Sequence, residues 1–339
     1  MNHYKTREFI KNKVSFCFTL LVIGTFFAGC KTFSEESGLG CFVPYEWSGY
    51  QNGRVIHAKP ISDFKISKKN PNTDYLDFFA LGCAGSGNQG QKIVAEQMAH
   101  VAGEEKISLV LYLGDNFYGC GVSSVKDKQW KTKFENIYDQ KRLNILFYPV
   151  LGNHDHAKSV QAQIAYSKIS SRWRMPARYY TFSQTLKDGT KVDFFALDTQ
   201  VIVHEGDPDQ LKWLDGELQK SRARWKIVYG HHPLYTGDHK YKGQPERTRA
   251  ILEPIFVKYR VDLYLAAHSH NIEAIKPVSG VHYIVSGAGS RPRNVTWSDQ
   301  TIFASAEVGF AWLSVSSAQI DVQFVGGDGK VGYAYTIKK

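Results

Sequence analysis

Five apolar stretches of this 339-residue chain each lead into a short segment of metal-ligating side chains, which starts at or directly after a small residue. The five segments are Gly82-Cys-Ala-Gly85, Gly114-Asp-Asn-Phe-Tyr118, Gly152-Asn-His-Asp155, Gly230-His-His232 and His268-Ser-His270. Open α/β sheets bind ligands just beyond the carboxyl ends of their strands. Imidazole, carboxylate and amide oxygen suit divalent and trivalent first-row metal ions. The pattern therefore predicts an α/β fold with a metal site where its strands end.

Apolar strands and helical stretches alternate along the chain from Asp74 onward. Strands are predicted at Tyr75–Leu81, Ile107–Leu113, Ile145–Val150, Tyr179–Phe182, Val192–Leu197, Trp225–Tyr229, Val261–Ala266 and His282–Val285. Helices are predicted at Gln91–Val101, Asp209–Lys220 and Gln244–Tyr259. The tail from Glu307 to Ile337 is predicted to be all-β, so the whole order indicates a layered α/β domain with mixed sheets.

The composition excludes a disordered chain and disfavours a nucleic-acid-binding module. Hydrophobic residues make up 43% and aromatic residues 14% of the sequence, which is ample material for a core. The formal net charge of +10 is spread along the chain and suits an anionic substrate or an acidic envelope surface. Because no helix-turn-helix or zinc-finger pattern is present, we predict no nucleic-acid partner.

The first thirty residues have the layout of a secretory signal. A basic stretch precedes the apolar run from Val14 to Phe27, which is too short to span a bilayer comfortably, and Ala28-Gly-Cys30 follows. This ending resembles a bacterial lipoprotein signal, although Phe27 departs from the usual aliphatic residue; a simple signal peptide or an uncleaved anchor is the alternative. We therefore predict a signal peptide over residues 1–29, a tether over 30–73 and a catalytic domain over 74–339. The expected location is the bacterial cell envelope, either on a membrane surface through lipidated Cys30 or in the periplasm.

The five cysteines do not form a disulfide scaffold. Cys17 would leave with the signal and Cys30 would carry the lipid. Three cysteines, Cys41, Cys83 and Cys120, would remain in the mature protein. This odd number leaves at least one thiol free unless it pairs between molecules.

Four of the five strand-end segments identify a resemblance to a known family. The Asp-Asn-Phe-Tyr, Asn-His-Asp, Gly-His-His and His-Ser-His blocks resemble those of the calcineurin-like metallophosphoesterases, and within them the purple acid phosphatases of the small tartrate-resistant type. The likeness runs from about Asp74 to the C-terminus. It implies a four-layer αββα sandwich with two mixed β-sheets. It also implies hydrolysis of phosphate monoesters, carried by a small molecule or a protein.

The resemblance further implies a two-metal centre in which Asp115 bridges both ions. Tyr118 and His270 would bind the first ion, an iron(III) in this family. The second ion, usually zinc, manganese or iron(II), would be bound by Asn153, His231 and His268. Two metals about 3.5–4 Å apart activate a hydroxide and hold the attacking and leaving oxygens of an in-line displacement.

Three histidines are the candidates for catalytic roles. His154 matches a family residue that lies beside the bound phosphate, with Asp155 as a partner that would orient its imidazole. His239, eight residues beyond His231, is our candidate for the acid that protonates the leaving alcohol. His232 is the alternative for that role.

The pattern departs from the family at Cys83, where the first block normally has an aspartate that binds the first metal. Thiolate is a soft ligand that favours zinc, iron(II) or copper(I) over iron(III). Three interpretations stay open: a thiolate ligand, a disulfide with Cys120, or an inert buried thiol. A smaller departure is Ala267, which stands where the family usually has glycine.

Two functions of different class follow from these observations. The first is an active envelope phosphomonoesterase, with phosphodiesterase activity as a weaker variant. The second is a lipid-anchored binding protein that keeps the fold but has a degenerate, weakly active or inactive site, because the first-block aspartate is missing. The retained metal-ligating residues favour the enzyme, since a dead site has no physical need for all of them.

Overall fold

The structure is a computed structural model that describes Lys69, residues 73–241 and residues 243–339. It contains six α-helices, α1 to α6 in chain order: Gln89–Glu104, Asn153–His156, Val160–Tyr166, Thr199–Glu205, Pro208–Lys220 and Gln244–Tyr259. A turn of π-helix covers Lys131–Glu135. The strands β1 to β13 are Leu76–Leu81, Ile107–Leu113, Leu146–Val150, Tyr180–Thr185, Lys191–Ala196, Trp225–Tyr229, Leu263–Ala266, Ile272–Val278, Val281–Ser286, Thr301–Ser305, Gly309–Val315, Gln319–Gly326 and Val331–Lys338.

The first sheet has six strands in the order β13-β12-β11-β1-β2-β3. Strands β1, β2 and β3 are parallel, whereas β11 pairs antiparallel with β1 and opens the C-terminal meander. Every residue of β1 is buried, as expected for a central strand that is covered on both faces. Helix α1 connects β1 to β2 and is capped at its N-terminus by Asn88, whose side chain accepts a hydrogen bond from the Gln91 amide at 3.0 Å.

The second sheet has seven strands in the order β10-β8-β9-β7-β6-β5-β4. Its central strands β5, β6, β7 and β9 are parallel, and antiparallel strands flank them at both edges. Both sheets are therefore mixed. The parallel strands of each sheet bring their carboxyl ends, and the loops that follow them, to one edge.

The two sheets pack face to face and helices cover their outer faces. Phe78 of β1 meets Phe194 of β5 edge to face, with ring centroids 5.6 Å apart. Helix α1 contributes Val94 to the core of the first sheet. Leu214 of α5 and Phe256 of α6 pack in a second core against the other sheet. The four-layer αββα sandwich implied by the family resemblance is confirmed.

The predicted strands and helices are all present, with ends shifted by a few residues. Strand β8 was not predicted, because Glu273, Lys276 and Pro277 interrupt its apolar pattern; the short β10 was also not predicted. No helix of the described residues is long and apolar enough to cross a bilayer. The predicted signal peptide, and all of the predicted tether except Lys69 and Thr73, lie outside the described residues.

Candidate metal centre

The five strand-end segments lie at one end of the sandwich, where the two sheets meet. Three of them follow β1, β2 and β3 of the first sheet, and two follow β6 and β7 of the second. The sheets are joined there by a hydrogen bond from the His231 Nδ1–H to the Leu113 carbonyl, 2.8 Å long. Ligands contributed by both sheets can therefore surround one centre.

Three of the predicted metal ligands have a left-handed backbone. The φ angles are +51° at Cys83, +52° at Asp115 and +60° at His268. Such conformations are uncommon for residues other than glycine and persist only where the surrounding structure enforces them. The strained backbone positions therefore coincide with three of the predicted metal ligands.

Two glycines make this close approach of the loops possible. Gly114 has φ +83°, and a Cβ atom there would lie 2.7 Å from Nδ1 of His231. A Cβ on Gly82 would lie 2.5 Å from the Cβ of Ala267. The unusual Ala267 is therefore accommodated because the facing residue has no side chain.

The ligands predicted for the second metal converge on the Nε2 atom of His231. Oδ1 of Asn153 lies 3.2 Å, Nδ1 of His268 lies 3.0 Å and Oδ1 of Asp115 lies 3.5 Å from it. Because His231 Nδ1–H is donated to a carbonyl, its Nε2 carries a lone pair. Burial lowers the pKa of His231 and lowers that of His268 well below its usual range. Neutral imidazoles and an amide oxygen are the donor set that a divalent ion prefers.

The ligands predicted for the first metal meet on the other side of Asp115. The Tyr118 hydroxyl lies 3.0 Å from Nε2 of His270, whose Nδ1–H is donated to the Arg291 carbonyl at 2.7 Å. Burial, assisted by the charge of Arg293, lowers the pKa of His270 to about 3. Oδ2 of Asp115 lies 3.9 Å from the sulfur of Cys83.

Asp115 is held ionised between the predicted ligands of the first metal and those of the second metal. Its burial would raise the carboxyl pKa, but the surrounding histidines, together with the hydrogen bond from the His154 amide, outweigh this effect and lower it. One carboxylate oxygen faces each set of ligands. The donors therefore fit two cations that share one carboxylate.

Cys83 is a free and fully buried thiol. Cys120 is disulfide-bonded while Cys83 is free, so a Cys83–Cys120 disulfide, one of the three interpretations left open by the sequence, is excluded. Burial, together with the negative charge of Asp115, raises the pKa of the Cys83 thiol. A cation bound beside it would favour the thiolate, so the thiolate-ligand and inert-thiol interpretations both stay open.

His232 is buried beside the second-metal ligands, and its tautomer follows from Thr199. The Thr199 hydroxyl oxygen accepts hydrogen bonds from the backbone amides of His231 and His232, at 3.1 and 3.0 Å. Its own hydrogen is therefore donated to Nδ1 of His232, 2.9 Å away. Nε2 of His232 then carries the proton and is buried without a partner among the described residues. This arrangement makes His232 a neutral hydrogen-bond donor rather than a metal ligand.

The structure corrects the role that the sequence suggested for Asp155. Nδ1 of His154 bonds to the Gly119 carbonyl at 2.5 Å, so Asp155 does not orient that imidazole. The buried Asp155 carboxylate instead accepts hydrogen bonds from the amides of Gly152 and Asn116, at 2.8 and 3.0 Å. It ties the loop after β2 to the loop after β3, which are the loops that carry Asp115 and Asn153.

The predicted proton donor His239 lies apart from the cluster of ligands. It is exposed and lines a surface cleft with residues such as Tyr235 and Arg249. Its role stays a prediction. Its loop nevertheless reaches the metal centre, because the ring of Tyr241 packs on His268 with ring centroids 4.2 Å apart.

Two residues of the site escaped the sequence analysis, Tyr241 and Arg293. Arg293 forms an ion pair with Asp238 at 2.8 Å, donates to the His268 carbonyl at 3.0 Å and lies over the Tyr241 ring. Nothing local in the sequence indicates these contacts.

The loop that carries His239 is also held by a buried carboxyl group. Glu273 of β8 accepts hydrogen bonds from the Thr236 hydroxyl at 2.5 Å and from the Gly237 amide at 2.8 Å. Burial without a cation raises the pKa of Glu273 to about 7. The folded protein therefore holds this proton over a range in which the unfolded chain, with its usual pKa of 4.5, has lost it.

We expect this group to make the protein less stable as the pH rises from 4.5 to 7. Its stabilisation is complete below pH 4.5 and is lost as the pH approaches 7, a difference of roughly 3 kcal/mol. Glu273→Gln should flatten this slope in denaturant unfolding curves, and Glu104→Gln on the exposed end of α1 should not. An unchanged slope in the Glu273 variant would contradict the assignment.

Comparison with protein families places these residues in a known context. The family model for calcineurin-like phosphoesterases matches residues 64–271. Tartrate-resistant acid phosphatase type 5 of Oryctolagus cuniculus is 31% identical over 293 residues, which covers 76% of this chain and 89% of that protein. Purple acid phosphatase 7 of Arabidopsis thaliana is 34% identical over 248 residues, covering 67% and 73%.

Solved structures share the fold at lower identity. GAP50, described as the anchor in the inner membrane complex of Plasmodium, superposes with a TM-score of 0.72 at 24% identity, covering 78% of this chain and 89% of that one. A purple acid phosphatase from yellow lupin (Lupinus luteus) seeds gives a TM-score of 0.64 at 17% identity, covering 78% and 54%. At these identities the likeness concerns the fold alone.

Proposed function

This chain belongs to the calcineurin-like phosphoesterase family, and we propose that it is an exported, metal-dependent phosphatase that hydrolyses phosphate monoesters at a two-metal centre. The enzyme class is phosphoric monoester hydrolase of the acid phosphatase type, as in the curated relatives. Phosphorylated small molecules or proteins are its proposed substrates.

The observation that carries the proposal is the division of ligands about Asp115. Amide and imidazole donors meet on one side of its carboxylate, and phenol, imidazole and thiol donors meet on the other. The residues on the two sides would hold one metal ion each, with iron proposed beside Tyr118 and zinc, manganese or iron proposed beside His231. When bound, two such ions supply an activated water nucleophile and neutralise the charge of the phosphoryl group.

The chain's own residues prepare this site for a phosphate. The His154 amide donates to Oδ1 of Asp115 at 3.0 Å and so fixes the shared carboxylate. His154 donates Nδ1–H to the Gly119 carbonyl, so its Nε2 is not needed for that bond and is proposed to face the phosphate. His239 is proposed to protonate the leaving alcohol. His232, as a neutral donor, is proposed to hydrogen-bond to an anion bound in the site.

The competing function is a lipid-anchored binding protein with a degenerate site. This alternative is based on Cys83, which stands where the family has an aspartate. The relatives are acid phosphatases, and this does not favour a binding protein. Metal analysis together with hydrolysis of an aryl phosphate would separate the two functions. We expect the purified protein to contain bound metal. A chelator should abolish turnover, and added metal should restore it. Metal-replete protein without turnover would support the binding protein.

Export and lipid anchoring belong to the proposal as well. The disulfide at Cys120 supports an oxidising compartment, because cytosolic proteins rarely keep disulfides. The basic head, the apolar run and the following Cys30 support processing as a lipoprotein.

Cys30→Ser should release the exported protein from membranes. Acyl chains contribute about 0.8 kcal/mol per buried CH₂, and a serine in their place carries none. Membrane fractionation of cells that express each form would measure the shift to the soluble fraction. Cys17→Ser, which changes a cysteine inside the signal, is the matched control and should stay membrane-bound. A Cys30→Ser protein that still sediments with membranes would show that the anchor lies elsewhere.

A further inference from the structure

A surface cleft of about 440 Å³ lies beside the metal centre and is walled on one side by the loop that carries His239. Two contacts join this wall to the segment of predicted ligands after β7. The ring of Tyr241 packs on His268 with centroids 4.2 Å apart, and the hydroxyl oxygens of Thr236 and Ser269 are 3.0 Å apart. Because His239 is the proposed acid for the leaving alcohol, the alcohol part of a bound substrate would lie in this cleft.

Arg249 of α6 brings a half-buried positive charge into the same cleft. Its guanidinium lies over the ring of Tyr235, 4.7 Å from the centroid, and donates to the Leu234 carbonyl at 3.4 Å. Among the described residues, no carboxylate lies within ion-pair distance of this guanidinium. A guanidinium held against an aromatic ring keeps its planar set of donors in place, which suits it to bind a carboxylate.

The acidic groups around Arg249 do not compensate its charge directly. Asp238 forms an ion pair with Arg293, 2.8 Å away. Glu253, one turn further along α6, accepts hydrogen bonds from two tyrosine hydroxyls at 2.7 and 2.9 Å. Glu246, one turn earlier, lines the cleft but is exposed to water, which screens its charge. An anion that entered the cleft would therefore pair with Arg249.

We propose that Arg249 forms a second anion subsite in this cleft, which selects phosphate monoesters whose alcohol part carries a carboxylate. The inference rests on the proposed function and names its substrate class. The phosphoryl group occupies the metal centre, the alcohol part extends past His239, and its carboxylate pairs with the guanidinium. Hydrolysis adds water to phosphorus and breaks the P–O bond to the alcohol, which leaves with a proton.

The experiment compares two probes on the metal-loaded protein, 4-carboxyphenyl phosphate and 4-carbamoylphenyl phosphate. The two have nearly the same shape, but only the first carries a charge on its ring. The carboxylate makes its phenol the poorer leaving group, so a preference for this probe must come from binding. We expect wild-type kcat/KM to be about tenfold higher for 4-carboxyphenyl phosphate, mainly through KM, and this preference to shrink as the salt concentration rises.

Three variants test the role of the guanidinium. Arg249→Met keeps much of the stem over Tyr235 but removes the charge, so it should bring the ratio of the two kcat/KM values close to one. Arg249→Lys should restore part of the preference, because the ammonium keeps the charge but not the planar fork. Glu246→Gln should raise the ratio above that of the wild type, because it removes a negative charge that repels the carboxylate.

Arg247→Met is the matched control, because Arg247 is exposed on the same helix and does not line the cleft. It should keep the preference, and thermal unfolding should show which variants fold. If Arg249→Met does not fold, Glu246→Gln decides, and an unchanged ratio there would overturn the subsite. An equal ratio in wild type and Arg249→Met, with both probes hydrolysed, would overturn the subsite alone. Failure of the metal-loaded wild type to hydrolyse either probe would overturn the proposed function, and the subsite with it.

Discussion

His231→Ala is expected to reduce turnover by about three orders of magnitude or more. Three other predicted ligands lie within 3.0 to 3.5 Å of its Nε2 atom, so its removal opens the second metal position. The same change removes the hydrogen bond to Leu113 that joins the two sheets. Metal content per protein should fall from two ions towards one.

Asn153→Ala separates the loss of a ligand from the loss of that inter-sheet contact. It removes an oxygen donor without touching the sheet connection, so metal loss and a similar rate defect should persist in a protein of near-normal stability. Elemental analysis, aryl phosphate turnover and thermal unfolding would measure the three quantities. His100→Ala, at an exposed position of α1, is the control. Near-normal rates in both His231→Ala and Asn153→Ala would contradict the assignment of the second metal site.

Cys83→Asp is expected to change the identity of the first metal. The carboxylate is a hard donor, so beside Tyr118 it should favour iron(III) over zinc or iron(II). A phenolate–iron(III) pair absorbs visible light, so the variant should become more strongly coloured than the wild type. If the missing aspartate limits the rate, turnover should rise on the order of tenfold.

The structure adds a stability prediction for the same variant. Aspartate tolerates the left-handed backbone at position 83 better than cysteine does, which favours the substitution. Its carboxylate would, however, lie beside Asp115 in a buried site, where two like charges repel. The metal-free variant should therefore melt lower than metal-free wild type, and added metal should raise its melting temperature more.

Cys83→Ser distinguishes the two interpretations of the thiol that remain. A ligating thiolate predicts loss of the first metal in the serine variant. An inert thiol predicts unchanged metal content and rate in Cys83→Ser. Unchanged metal content, colour and rate in both Cys83→Asp and Cys83→Ser would leave only the inert thiol.

The sequence was sufficient to predict most strands of both sheets and the meeting of the candidate ligands at their ends, for a definite physical reason. Buried parallel strands are continuous apolar runs, and their carboxyl ends are marked by small residues followed by polar ones. Asp115, Asn153 and His231 each follow such a run, so their approach could be inferred without coordinates. The strand β8 was missed because a glutamate, a lysine and a proline interrupt its pattern.

The contacts that surround the ligands depended on residues far apart in the chain. Asp155 bonds to loop amides rather than to the neighbouring imidazole, and the hydroxyl of Thr199 sets the tautomer of His232. The free state of Cys83 likewise depends on contacts between segments that no local pattern relates. Strand periodicity and the order of ligands are local properties that the sequence alone determined. Hydrogen-bond partners, protonation and charge compensation depend on which loops the folded sheets bring together, so only the tertiary structure decided them.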